Sequence, residues 1–228
     1  MIEKSSTLRD QDPPALSSRQ RRFVLLSPIL LIAAGHLTAR VFSASIGAWA
    51  WVPLQLVYWS GMIAVLYSVN GLSNIFAAYK RSSGWRSWSS GILIGLIPWP
   101  ILLLHLSLLH SPLLIVCWIA LALINPFIEE SYWRGLFGEV TARWPAWAAL
   151  LYPTLFFAAA HPLQWGVFSV GSRNWQMVVA LMIMGIAWSA TYRQTRSLRS
   201  NTFSHMLVDL GNMSVWVFLN LYIPPTRH

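Results

Sequence analysis

Seven apolar runs of membrane-spanning length follow one another along the chain, at about 23–42, 46–69, 90–109, 112–134, 146–161, 175–192 and 201–222. They predict an all-α polytopic transmembrane bundle of about seven helices, a single domain over residues 23–228. Residues 1–22 are polar, carry Pro13, Pro14 and several serines, and are expected to form a disordered cytoplasmic tail. Arg19, Arg21 and Arg22 stand before the first apolar run as they would in a signal peptide. No small-residue cleavage site follows and more spans come after, so a retained first helix is expected.

The polar connections carry the orientation signal. Lys80, Arg81 and Arg86 fall in one loop, Arg143 in a turn, and Arg193, Arg196 and Arg199 in a third connection, whereas the alternate loops hold only Arg40, Arg173 and Arg227. A cytoplasmic N-terminus puts all three basic connections on the cytoplasmic side, as positive charge in short loops requires. A bacterial inner membrane is the expected location. Composition agrees: 56% of residues are hydrophobic and 10% charged, against about 25% charged in a soluble domain. Most of the surface therefore faces lipid, which is itself a partner. The net charge of +9 sits in short clusters between apolar runs, a pattern for anionic lipid rather than nucleic acid. Cys117 is the one cysteine and lies in an apolar run, which excludes a disulfide framework and reads as packing.

The acids change the picture from architecture to chemistry. Glu3, Asp10 and Asp12 are in the tail, and no Asp or Glu occurs from Pro13 to Ile128. Glu129, Glu130, Glu139 and Asp209 are all that remain. An ionisable side chain in a span is costly and is kept where it pairs or works. On a helix, Glu130 and Arg134 are four apart and share a face, so an ion pair can offset their burial. Glu129 points about 100° away and lacks that partner. An unpaired carboxyl in a low dielectric suits proton transfer. The alternative at this point is a helix-end ion pair at the membrane boundary.

Two histidines add weight to the chemical reading. With a tight turn near Arg143 to Pro145, Glu129 lies about 15 residues before the turn and His161 about 17 after it. Antiparallel helices rising ~1.5 Å per residue then bring the two to similar depth. His205 and Asp209 are four apart and share a face of the last helix. His36, His105 and His110 have no acidic neighbour in sequence, and His228 is the last residue, so these read as boundary or packing residues.

Three short motifs occur in order: Glu129-Glu130-x-x-x-Arg134, Phe157-x-x-x-His161 and His205-x-x-x-Asp209. Together they resemble those of the CAAX-protease and bacteriocin-processing family, the CPBP or Abi proteins, over about the last half of the chain. The resemblance implies an intramembrane endopeptidase with its catalytic core in about 112–222. It would act on a membrane-associated protein or peptide. Prenylated C-termini, bacteriocin leaders and sorting signals are all cut by relatives of this kind. Glu129 and His161 would activate the attacking water, and His205 and Asp209 would stabilise the oxyanion. Glu130 and Arg134 would hold the geometry, and Phe157 would fix the His161 ring. The family often has Asn where this chain has Asp209. Asp209 would therefore work protonated, or orient His205 by accepting its ring N–H. The resemblance leaves a cofactor open: glutamate-dependent, metal-free chemistry is the expectation, and zinc on Glu129, His161 and His205 the alternative.

Other readings remain in view. A membrane immunity or scaffold protein of the same fold would keep its function without Glu129. A transporter with a buried Glu–His relay would show related halves or broken helices, and neither stands out. There is no His-Glu-x-x-His motif, Lys4 and Lys80 are the only lysines, and Ser169 lacks a Gly-x-Ser-x-Gly setting.

Overall fold

A computed structural model of the chain describes residues 16–224. Among them the fold is helical, with no strand. The greater part of the expected tail, residues 1–15, lies outside the described residues. Its last residues are already helical: α1 (Ser18–Ile46) begins at a capping box in which the Ser17 hydroxyl accepts from Gln20 N–H, and Gln20 Oε1 from Ser17 N–H.

Helix α1 is followed by a reversal at Gly47, whose φ of 59° is in the region glycine tolerates. Helix α2 (Trp51–Ser68) then returns along α1. The apolar stretch Ser18–Ser68 is thus two crossings. A short α3 (Leu72–Lys80) leads to α4 (Trp85–Leu96) and α5 (Trp99–Leu104), separated by a break at Ile97 and Pro98. Helix α6 (Pro112–Glu130) continues through a π-helical turn (Ser131–Leu136) into α7 (Phe137–Val140). Helices α8 (Ala146–Leu163) and α9 (Trp175–Thr195) form an antiparallel pair, and α10 (Arg199–Gly211) and α11 (Ser214–Phe218) close the described chain. Stretches 85–104, 112–140, 146–167 and 175–195 are each long and apolar enough to span a bilayer. Leu30, Leu37, Leu56, Leu93, Leu104, Val116 and Ile183 point outward and are exposed, as side chains facing lipid are. The chain is an integral membrane protein.

The last span differs from the expected 201–222. It breaks at Met213, where φ is 54°, into α10 and α11. Helix α10 is too polar to lie against lipid: Ser200, Asn201, Thr202, Ser204, His205 and Asp209 are all buried within the bundle. Its small residues allow close approach of α4. A Cβ on Gly95 would stand 2.7 Å from Leu207 Cβ and 3.0 Å from the Ser204 carbonyl oxygen, the small-residue contact that membrane helices favour. Gly95→Leu is therefore expected to cost about 1–3 kcal/mol through overpacking. It should lower the unfolding midpoint in detergent, where Leu93→Ala on the lipid-facing side should not.

The basic connections lie together. Ser197 Oγ donates to the Arg81 carbonyl at 2.9 Å and accepts from Ser83 Oγ at 2.9 Å. Arg196 pairs with Glu139 at 3.0 Å, beside the turn that carries Arg143. The three connections that the charge pattern assigned to one side of the membrane thus share one end of the bundle.

Candidate active site

Glu129 and Glu130 end α6 and are both buried. The chain then widens into a π-helical turn, a local form that recurs at functional sites, and this turn carries Arg134. Arg134 Nη1 stands 3.2 Å from Glu130 Oε1. None of the Arg134 nitrogens makes an aligned hydrogen bond. The guanidinium instead lies between two aromatic faces, 4.4 Å from the Phe157 ring centre and 5.0 Å from that of Trp188. Its charge is balanced by one carboxylate and two π faces.

Glu130 does more than pair with Arg134. His205 Nδ1 donates to the same Oε1 at 2.9 Å. The His205 ring stacks on Trp188 at 4.7 Å and 24°, so both its tilt and its rotation are held. Its Nε2 is left facing Glu129 Oε2 at 3.5 Å and Asp209 Oδ1 at 3.6 Å. Glu130 thus holds Nδ1 of His205, and Asp209 faces Nε2. Helical spacing finds partners on the same helix, and this bond joins α6 to α10.

Glu129 Oε2 is buried without a hydrogen-bond partner. The Tyr58 hydroxyl stands beside the Glu129 carboxyl and accepts from Trp133 Nε1 at 3.0 Å. His161, at the end of α8, turns Nδ1 to the Phe157 carbonyl at 2.9 Å, which leaves Nε2 for chemistry. Its ring packs edge-on to Phe157 at 5.2 Å and against Trp165 at 5.1 Å. Phe157 therefore steadies His161 and seats Arg134 at once.

These groups line one cavity of about 570 Å³. Glu129, His161, His205, Asp209, Gln55 and Asn125 are among its polar lining residues, and Ile101, Leu181, Met184, Val217 and Phe218 among its apolar walls. A large apolar pocket with a few convergent polar groups is the general form of a binding site.

Residues 111–211 match the family model described as type II CAAX prenyl endopeptidase Rce1-like. This segment is similar to the Rce1-like family. The match runs from the start of α6 to the end of α10 and takes in all three motifs. No curated protein and no solved structure matches the chain. The family is one of endopeptidases, and the match points to a protease in general terms.

Around the Rce1-like segment the structure adds residues that the motifs omit. Asn125 Nδ2 donates to Asp209 Oδ2 at 3.2 Å. Asn125 Oδ1 in turn accepts from Gln55 Nε2 at 3.0 Å and Trp59 Nε1 at 2.9 Å. Gln55, Tyr58 and Trp59 are on α2, outside the matched segment. A signal for Gln55 and Asn125 was present: both are polar amides inside apolar runs, where an unpaired amide is costly.

Among the described residues no three His, Cys, Asp or Glu side chains form a group that could hold a metal ion. No step below passes through a metal ion. The other described histidines bond to backbone carbonyls: His36 Nδ1 to Leu163 at 2.6 Å, His105 Nδ1 to Ile101 at 2.8 Å and His110 Nδ1 to Ser107 at 3.2 Å; His228 lies outside the described residues. Ser169 is buried and donates to the Val217 carbonyl at 2.8 Å, a packing role. Cys117 is half-buried against the core.

Proposed function

We propose that the cavity hydrolyses a peptide bond in a membrane-associated protein or peptide. The observation that carries this reading is the Glu129 carboxyl, buried at the wall of the cavity with Oε2 free of any hydrogen-bond partner. A general base must keep an acceptor available for the proton it takes. Glu129, with His161 Nε2, would draw a proton from a water molecule as its oxygen attacks the scissile carbonyl carbon. The carbonyl π electrons move to oxygen, and the resulting oxyanion would be met by two donors, the N–H of His205 Nε2 and the O–H of a protonated Asp209. Preorganised groups of this kind are worth most in a low dielectric. The proton held by Glu129 then passes to the amide nitrogen as the oxyanion collapses and the C–N bond breaks, which yields a carboxylic acid and an amine, the acid then giving its proton to the amine, and returns the site to its starting state.

Glu130 and Arg134 take no proton in this scheme. Glu130 holds Nδ1 of His205, and so keeps Nε2 aimed at the reacting carbonyl. Arg134 anchors Glu130 between Phe157 and Trp188. The end of the bundle that carries the basic connections would face the cytoplasm, with the N-terminus on that side.

Cleavage by the purified protein in lipid vesicles, before and after exhaustive dialysis against a chelator, tests the chemistry. Turnover of a membrane-anchored peptide is expected to be unchanged by the chelator. A loss that added zinc restores would contradict water activation by Glu129 and His161 alone.

A further inference from the structure

The hydrogen bonds around Asn125 fix the direction of an amide chain that leads into the active site from outside the matched segment. An indole nitrogen can only donate. The Asn125 atom 2.9 Å from Trp59 Nε1 is therefore the carbonyl oxygen, and the same oxygen takes the Gln55 amide at 3.0 Å. With Oδ1 so occupied, the amide nitrogen is turned toward Asp209, where it donates to Oδ2 at 3.2 Å. The assignment follows from chemistry rather than from the fit of a symmetric amide. Trp118 Nε1 adds a bond to the Asp209 backbone carbonyl at 3.2 Å, so this turn of α10 is held at side chain and main chain alike.

Asp209 consequently has two unlike oxygens. Oδ2 is committed as an acceptor, and Oδ1 is the one facing His205 Nε2 at 3.6 Å. Gln55, Asn125 and Asp209 are all buried, and all three line the cavity. A carboxyl with neither oxygen held could rotate about its last bond and exchange the two. One with Oδ2 pinned cannot do so without breaking a buried hydrogen bond.

We propose that Gln55, Trp59 and Asn125 are positioning residues that pin Asp209 Oδ2 and thereby direct Oδ1 to the reacting carbonyl. Helix α2 is then part of the active site, although the family match begins only at α6. The inference rests on the peptidase reading above and adds to it a residue set of which two members lie outside the matched segment. None of the three takes up a proton or touches the scissile bond. Their effect reaches the reaction through one carboxyl group.

The test is a double-mutant cycle in the vesicle cleavage assay, with membrane insertion and the unfolding midpoint measured for every variant. Asn125→Leu keeps the branched outline of the side chain, somewhat enlarged, and removes both hydrogen-bonding functions. Trp59→Phe removes a single N–H. Asn125→Leu is expected to lower kcat by about 10- to 100-fold, the usual loss when an orienting partner is removed, with KM changed little. Trp59→Phe should lower it less and in the same parameter. Combined with Asp209→Ala, Asn125→Leu should add no further loss, because its only route to the reaction is gone. Losses that multiply in the double variant, or wild-type kcat in both Asn125→Leu and Trp59→Phe, would overturn the proposal. Glu129→Gln is run beside them: if it alone is inactive while the Asn125 and Trp59 variants turn over normally, the relay fails and the peptidase reading stands.

Discussion

Glu129→Gln is expected to lower cleavage by about 10³-fold or more, within the range associated with loss of a positioned general base, while the protein inserts and unfolds as the wild type does. The substitution keeps the shape and removes the acceptor that must take the proton from water. Glu129 accepts from no N–H and pairs with no arginine, so the fold has little to lose. Its nearest charged neighbour, His205 Nε2, is 3.5 Å away, beyond a good hydrogen bond. Normal cleavage by this variant would remove the base from the mechanism.

Glu130, one residue further on, should respond in the opposite way. Its Oε1 serves both Arg134 at 3.2 Å and His205 Nδ1 at 2.9 Å, and it is fully buried. Glu130→Ala leaves the guanidinium of Arg134 buried with no counter-charge, a situation that costs about 3–5 kcal/mol in proteins. The two flanking rings recover part of that, since each desolvated cation–π contact is worth up to about 2 kcal/mol. The expected result is a marked fall in the unfolding midpoint in detergent and poor accumulation in the membrane. Replacing Arg134 by Met at the same time should restore accumulation, because the uncompensated charge is gone, yet leave turnover low, because His205 Nδ1 still lacks its acceptor. A Glu130→Ala protein as stable as the wild type would contradict this role. The two adjacent glutamates thus separate by what is measured: turnover for the first, stability for the second.

The sequence carried the number of apolar runs, the common side of the basic connections and the motif residues, because each is a one-dimensional pattern of polarity. It also carried the pairing of Glu130 with Arg134, since both lie within a turn of one helix. Three features could not be read in that way. The π-helical turn at Ser131–Leu136 keeps the hydrophobic pattern of an ordinary helix, so nothing in residue order marks it. The break at Met213 falls inside a run that has the length of one span, while the polarity of α10 before it records burial inside the bundle rather than an approach to water. The bonds from Glu130 to His205 and from Asn125 to Asp209 join different helices, and the depth of α10 relative to α6 is set by packing against α4 through Gly91 and Gly95. Spacing along one helix contains no information on that depth.

Asp209 gains most from the three-dimensional arrangement. It faces Nε2 of His205, whose Nδ1 is held by Glu130. It receives an amide hydrogen on one oxygen and presents the other to His205 Nε2. In the proposed mechanism this puts it on the oxyanion side of the site, beside a histidine whose orientation is fixed from behind.

The most direct measurement is mass spectrometry of the products that the purified protein forms from a membrane-anchored peptide in water enriched in oxygen-18. The expected result is two fragments, one with a new carboxyl terminus that has gained a solvent oxygen, formed by the wild type and absent with Glu129→Gln. An intact peptide with the wild type across substrates of differing anchor, together with a cellular function that survives Glu129→Gln, would contradict the account.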